Sequence, residues 1–207
     1  MSEVAIKESG VQQPLCFESE EAFEAWCDED IRAEYLDGEV FMHSPASASH
    51  EKSTLWLGRL MGFFIDRYDL GELFGSNIQL RLRHGRRRLA DLVFVAKVRL
   101  DIVFPTYIEG AADLVVEFVS SESVERDWGD KFLEYAAAGI KEYWIIDKNA
   151  QRMALYTLGD GKKYTAIEAI DSKLHSKVLR GFWLRPKWFW QDPLPNAVEI
   201  AREIGII

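Results

Sequence analysis

A chain of 207 residues that is 48% apolar and 13% aromatic has enough material for one domain with a full core. Its 34 acidic residues outnumber 25 lysines and arginines, and the net charge of -9 argues against a protein that coats nucleic acid through a generally basic surface. No apolar run approaches the roughly 18 to 20 residues of a membrane span, and no basic start leads into an apolar core. The two cysteines, Cys16 and Cys27, form no CxxC pair, so a cytoplasmic protein without membrane contact is expected.

Residues 1–15 lack periodicity and read as a flexible lead-in to one domain over 16–190, with 191–207 as a C-terminal extension. The stretch "SEEAFEAWCDED" suits a short N-capped helix, and "AEYLDGEVFMHSP" suits two extended pieces around a turn at Asp37-Gly38. From Ser47 to about Tyr68, apolar residues at Leu55, Leu57, Leu60, Met61, Phe64, Ile65 and Tyr68 have helical spacing. Three strands follow, "GELFGSNIQLRLR", "RRLADLVFVA" and "ADLVVEFVS", the first two joined as an antiparallel hairpin by "HGR". A helix over "ERDWGDKFLEYAAAG" then ends at Gly139, and the strand "KEYWIID" comes directly after it. An edge hairpin turns at Gly159-Asp160-Gly161 before a Trp-rich tail, whose indoles pack a sheet edge or a subunit contact. This order predicts an α/β fold with a mixed sheet flanked by helices.

Glu117 interrupts the apolar strand "ADLVVEFVSSE", and moving a carboxylate out of water is costly without a partner. Strand parity puts Asp113, Val115, Glu117 and Val119 on one face, and Asp91 with Val93 and Val95 on one face of the preceding strand. If those strands pair, Asp91 and Glu117 lie across from each other, and a hard cation such as Mg²⁺ or Mn²⁺ would relieve their repulsion. Asp127, Lys131 and Tyr135, spaced by four, share a helix face that a short Ser-rich loop returns toward Glu117. Two carboxylates, a divalent ion and a lysine can activate water against a phosphodiester.

These pieces resemble the PD-(D/E)xK nuclease superfamily and, within it, the bacterial putative restriction endonuclease family. The resemblance rests on "AEYLDGEVFMHSP", His50, "LADLVFV", "ADLVVEFVSSES", "RDWGDKFLEYAAAGIKEYWIID" and "VLRGFWL", in this order over roughly residues 17–190. It implies a restriction-endonuclease-like fold with an αβββαβ core and a metal-dependent endonuclease acting on DNA, commonly as a homodimer. It also implies Asp91 and Glu117 as ligands of Mg²⁺ or Mn²⁺, Lys131 as catalytic lysine, and Glu34 near the pocket, with Glu39 and His50 as further candidates. Two positions depart from the family pattern. Ala90 stands where a proline is usual, and Val119 where a lysine is expected, so Lys131 would serve from the helix.

Other readings stay open at this level. Glu117 can pair with Lys131 or an arginine without metal, Asp127 and Lys131 can be an ordinary i,i+4 pair, and Glu34 can pair with Arg32 or a hairpin arginine. His50 can be a first-turn polar residue. The arginines of "RLRHGRRRLAD" form either a solvated hairpin tip or a phosphate-contacting loop. An alternative function is a catalytically inactive nuclease-fold module that binds nucleic acid or a protein partner. The four histidines lack HxH or HExxH spacing, and GxxxxGK[ST] and GxSxG are absent, which removes support for zinc hydrolase, P-loop and nucleophile-elbow chemistry.

Overall fold

The structure, a computed structural model, describes residues 15–28, 30–120 and 123–207. The expected lead-in lies outside the described residues apart from Leu15, which opens the short strand β1 (Leu15–Cys16). Helix α1 (Glu20–Trp26) begins where the Ser19 hydroxyl accepts the Ala22 amide at 3.2 Å. Strands β2 (Ala33–Leu36) and β3 (Glu39–Met42) form the expected hairpin, with positive φ at both Asp37 and Gly38 as a tight two-residue turn requires. Helix α2 (Ala48–Tyr68) is capped by Ser47, whose hydroxyl accepts the His50 amide.

The two long strands expected next are each divided in two. The first becomes β4 (Gly71–Phe74) and β5 (Gln79–Arg83), and the second becomes β6 (Arg86–Leu89) and β7 (Leu92–Ala96). Gly75, Ser76 and Asn77 break the first, and the second breaks at Ala90-Asp91. The antiparallel pairing survives on both sides of the breaks, β5 against β6 and β4 against β7, with the register shifted by one between them, and the two halves belong to different sheets.

After β8 (Tyr107–Glu109) and β9 (Leu114–Phe118), a π-turn at Arg126–Asp130 leads into α3 (Lys131–Ala138), which ends at Gly139 with φ 102°. Strand β10 (Glu142–Asp147) runs parallel to β9, and β11 (Arg152–Leu158) with β12 (Tyr164–Ala166) forms the edge hairpin. Strands β13 (Leu174–His175) and β14 (Trp183–Leu184) and helix α4 (Ala197–Ile204) complete the chain. The expected mixed α/β layout is observed, and among the described residues its strands form two mixed six-stranded sheets, ordered β1-β3-β2-β6-β5-β8 and β12-β11-β10-β9-β7-β4, with β13-β14 as a separate pair.

The second sheet is buried on both faces. Leu92, Phe94, Leu114, Val116 and Trp144 pack against α2 and the C-terminal segment, while Val93, Val95, Val115, Val119 and Ile145 face Leu80, Ile108 and α3. The parity read from the sequence is thus observed, and Glu117 shares its face with Val115 and Val119. Trp183 and Trp188 lie inside the first core with Ile200, Ala201 and Ile206, so the tail closes one face of the domain rather than trailing from it. No helix among the described residues is long and apolar enough to cross a membrane.

The five arginines of the hairpin form neither a free tip nor a free phosphate-binding loop, because each is paired with a carboxylate. Arg81 and Arg87 meet Glu20 at 2.7 and 2.6 Å, Arg83 and Arg86 meet Asp37 at 2.7 and 3.0 Å, and Arg88 meets Glu34 at 2.7 Å. Glu20 also accepts the Gly85 amide at 2.7 Å, which pins α1 to the hairpin. Burial would raise its carboxyl, but the bonds from Arg81, Gly85 and Arg87 outweigh it and hold the group at about 2. Since this lies below the unfolded value of 4.5, the stabilisation is full above pH 4.5 and fades as pH falls toward 2. Glu20→Gln should therefore cost about 2 kcal/mol at neutral pH, with the gap to the native chain closing between pH 4.5 and 2 in a urea-unfolding series.

Candidate active site

Strand β7 pairs antiparallel with β9 through Leu92↔Val116 and Val93↔Val115. The residue just before β7, Asp91, therefore falls at the C-terminal end of β9, where its Oδ2 accepts the Phe118 amide at 2.6 Å. It sits at the point where the chain leaves the first sheet for the second. Its other oxygen, Oδ1, lies 2.9 Å from His50 Nε2 on the first turn of α2. The hydrogen bond to Asp91 holds the His50 imidazolium proton more tightly than usual, against the opposing effect of burial.

Glu117 is buried, and its Oε1 accepts from Lys131 Nζ and Tyr135 Oη, both at 2.8 Å. The side chains at positions 131 and 135 meet on one oxygen because they are one helical turn apart on α3. Lys131 Nζ also donates to the Leu89 carbonyl at 2.9 Å and lies 3.6 Å from both Glu34 Oε1 and Asp127 Oδ1. The Lys131 ammonium thus reaches Glu117 from the helix. The π-turn, a one-residue expansion of helix geometry that recurs at functional sites, leads directly into Lys131, whose amide bonds the Arg126 carbonyl.

Glu34 is fully buried on β2, where it accepts the Leu89 amide at 3.1 Å and Arg88 Nη1 at 2.7 Å, with His43 Nε2 at 3.3 Å. Of its two expected partners, the hairpin arginine is the one observed. Burial would raise the Glu34 carboxyl, but Lys131, His43 and Arg88 hold it well below the usual range. Arg88 in turn forks onto Glu134 of α3 at 2.7 and 2.8 Å. In the sequence Arg88 reads only as one of the hairpin arginines, and Glu134 is not singled out. The signal available was a carboxylate one turn after Lys131 and an arginine beside Leu89.

Carboxylates outnumber cations at this centre. Burial pushes the Glu117 carboxyl up; Lys131 opposes this, and the charges of Asp127 and Asp91 add to it. Asp127 is raised chiefly by burial as well, and its Oδ1 has no hydrogen-bond partner although its other oxygen accepts the Ser123 hydroxyl. Glu117, Glu34 and Asp127 all hold the Lys131 ammonium above its ordinary value despite burial.

Asp91, Glu117, Asp127, Lys131 and His50 open into one cleft of about 1020 Å³. Glu34 does not line it and lies within reach of Lys131 instead, whereas Glu39 is exposed on β3 and is not brought to the cleft. Such a centre suits hydrolysis of a bond carrying negative charge, with hard oxygen ligands, a fixed ammonium and polar walls in one open space.

Residues 20–187 match the family described as Putative restriction endonuclease (Uma2). A putative nuclease from Anabaena variabilis, known from its crystal structure, superposes with a TM-score of 0.70 over 83% of this chain and 97% of that one. At 12% identity that likeness is one of fold. No curated protein matches the chain. With the family match spanning most of its length and a restriction-endonuclease-like fold around the paired acids, the chain belongs to the putative restriction endonuclease family.

Proposed function

We propose that the chain is a divalent-metal-dependent endonuclease that hydrolyses DNA phosphodiester bonds in the cleft. The observation that carries this reading is the excess of oxygen charge there: Asp91 and Glu117 come from paired strands, Asp127 keeps an oxygen without a hydrogen bond, and Lys131 is the ammonium among them. Among the described residues no three His, Cys, Asp or Glu side chains form a ready-made metal cage. That donor set fits Mg²⁺ or Mn²⁺, which keep several waters and are held through one or two carboxylates completed by substrate phosphate. Asp91 and Glu117 would hold the ion, which supplies an acidified water and screens the phosphoryl oxygens when bound.

The chain's own groups account for the rest. His50 and the Phe118 amide fix the two oxygens of Asp91, and outer-shell bonds of this kind orient a ligand. Lys131 and Tyr135 fix Glu117, and Lys131 places a positive charge where negative charge grows during attack on phosphorus. Glu34 and the Leu89 carbonyl hold that ammonium in place. One such cleft cuts one strand, so a homodimer belongs to this reading for a double-strand break. Trp183 and Trp188 are interior, so these two indoles would not supply its contact.

Calorimetric titration with Mn²⁺, with and without a DNA oligonucleotide, tests the centre. Binding is expected in the native chain and is expected to be lost in Asp91→Asn and Glu117→Gln, with DNA cleavage falling roughly 10²-fold or more. A native chain that takes no Mn²⁺ under either condition would favour the nuclease-fold module that binds without cutting. The role of Lys131 has its own test in stability. Lys131→Met should cost about 3 to 5 kcal/mol by leaving buried carboxylates uncompensated, and adding Glu117→Gln should recover a measurable part of that loss in denaturant unfolding. Additive costs would dissociate Lys131 from Glu117.

A further inference from the structure

A chain of net charge -9 whose cleft carries Asp91, Glu117 and Asp127 repels a phosphate backbone unless cations stand beside those acids. The arginine-rich hairpin cannot be that source, since Arg81, Arg83, Arg86, Arg87 and Arg88 are all held by carboxylates. Two other arginines line the cleft: Arg32, which leads into β2, and Arg126, which opens the π-turn. Among the described residues neither forms an ion pair, and each has its Nε atom buried with no hydrogen-bond partner. Among the described residues neither guanidinium is committed to a carboxylate, which leaves both available to an anionic group that enters the cleft they line. Lys148, on the same lining, donates to the Ser49 and Ser53 hydroxyls at 3.2 and 3.0 Å, which leaves its charge uncompensated as well.

We infer that Arg32 and Arg126 bind backbone phosphates of the nucleic acid that flank the one reaching Asp91 and Glu117. A guanidinium presents a planar fork that matches two phosphate oxygens, and the two arginines are carried by separate elements, so they define two contacts on one strand. The contact reads charge and spacing and no base, which makes it a positioning device common to all sequences. This inference deepens the phosphodiesterase reading, names its substrate contacts, and rests on that reading.

Binding of a short labelled DNA duplex is measured over a KCl series in the Asp91→Asn background, so that no strand is cut. Arg32→Gln and Arg126→Gln should each reduce the slope of log affinity against log salt by about 1, and the double variant by about 2. Arg32→Lys and Arg126→Lys, which keep the charge, should retain the slope. Arg83→Gln, which removes a guanidinium held by Asp37 at the hairpin, should leave it unchanged. Unchanged slopes in both glutamine variants, an equal loss in Arg83→Gln, or no DNA binding by the folded chain would each overturn the inference. Metal-dependent cleavage by the native chain together with unchanged slopes would sink this inference and leave the phosphodiesterase reading standing. Slopes that fall as expected in a chain that never cuts would do the reverse.

Discussion

The structure depends on one buried ion pair, Glu117 with Lys131. A lone carboxylate in the middle of a central strand is untenable, because its burial in low dielectric is opposed by several kcal/mol even after relaxation. Attraction to one ammonium offsets this only if the remaining donors and acceptors are also satisfied. Here Tyr135 takes up a further bond to Glu117, and the Leu89 carbonyl takes up one from Lys131. The pair therefore ties α3 to β9 and, through Leu89 and Glu34, to the first sheet. An apolar pair of similar volume would hold these elements together at no greater cost, so stability alone gives no reason for the acids and the lysine.

A second constraint is the distribution of charge outside the cleft. The acidic stretch around α1 and the arginine-rich hairpin are complementary blocks far apart in sequence, and they neutralise one another in the fold. Glu20 is the centre of this contact, with Arg81, Arg87, His84 Nδ1 and the Gly85 amide all within 2.9 Å. The result reverses an intuitive reading of the sequence. The densest cluster of arginines is structural, and among the described residues lining the cleft Arg32, Arg126 and Lys148 are the cations without an ion pair.

Much of this was legible before the fold was known. The capped start of the helix in "SEEAFEAWCDED", the Asp37-Gly38 turn and the Gly139 terminus are local signals that act over a few residues, and each appears where the chain marks it. Strand parity placed Glu117 and Asp91 toward a common face, and spacing by four brought Lys131 and Tyr135 to one oxygen. The division of the two long strands was not legible, because alternation records which face a side chain takes and not which sheet the strand joins. Nor could charge patterning show that Arg88 reaches Glu34 and Glu134, since both contacts span some fifty positions. Glu39 failed as a candidate for a related reason: its strand was read correctly, but its side chain is exposed and outside the cleft.

The division of the strands is also what creates the site. Had the hairpin continued straight through Ala90-Asp91, Asp91 would be one more rung of a ladder, with its amide and carbonyl committed to a neighbour. At the crossing between sheets it can instead turn its carboxylate to the end of β9 and to the first turn of α2. Each proposed ligand then has a positive neighbour of its own, His50 for Asp91 and Lys131 for Glu117. The N-terminal turn of a 21-residue helix adds a favourable potential on the Asp91 side, where Ser47, Ser49 and His50 line the cleft. The two acids thereby line one cleft while each stays anchored separately. A sheet with unbroken strands could not give both conditions at once.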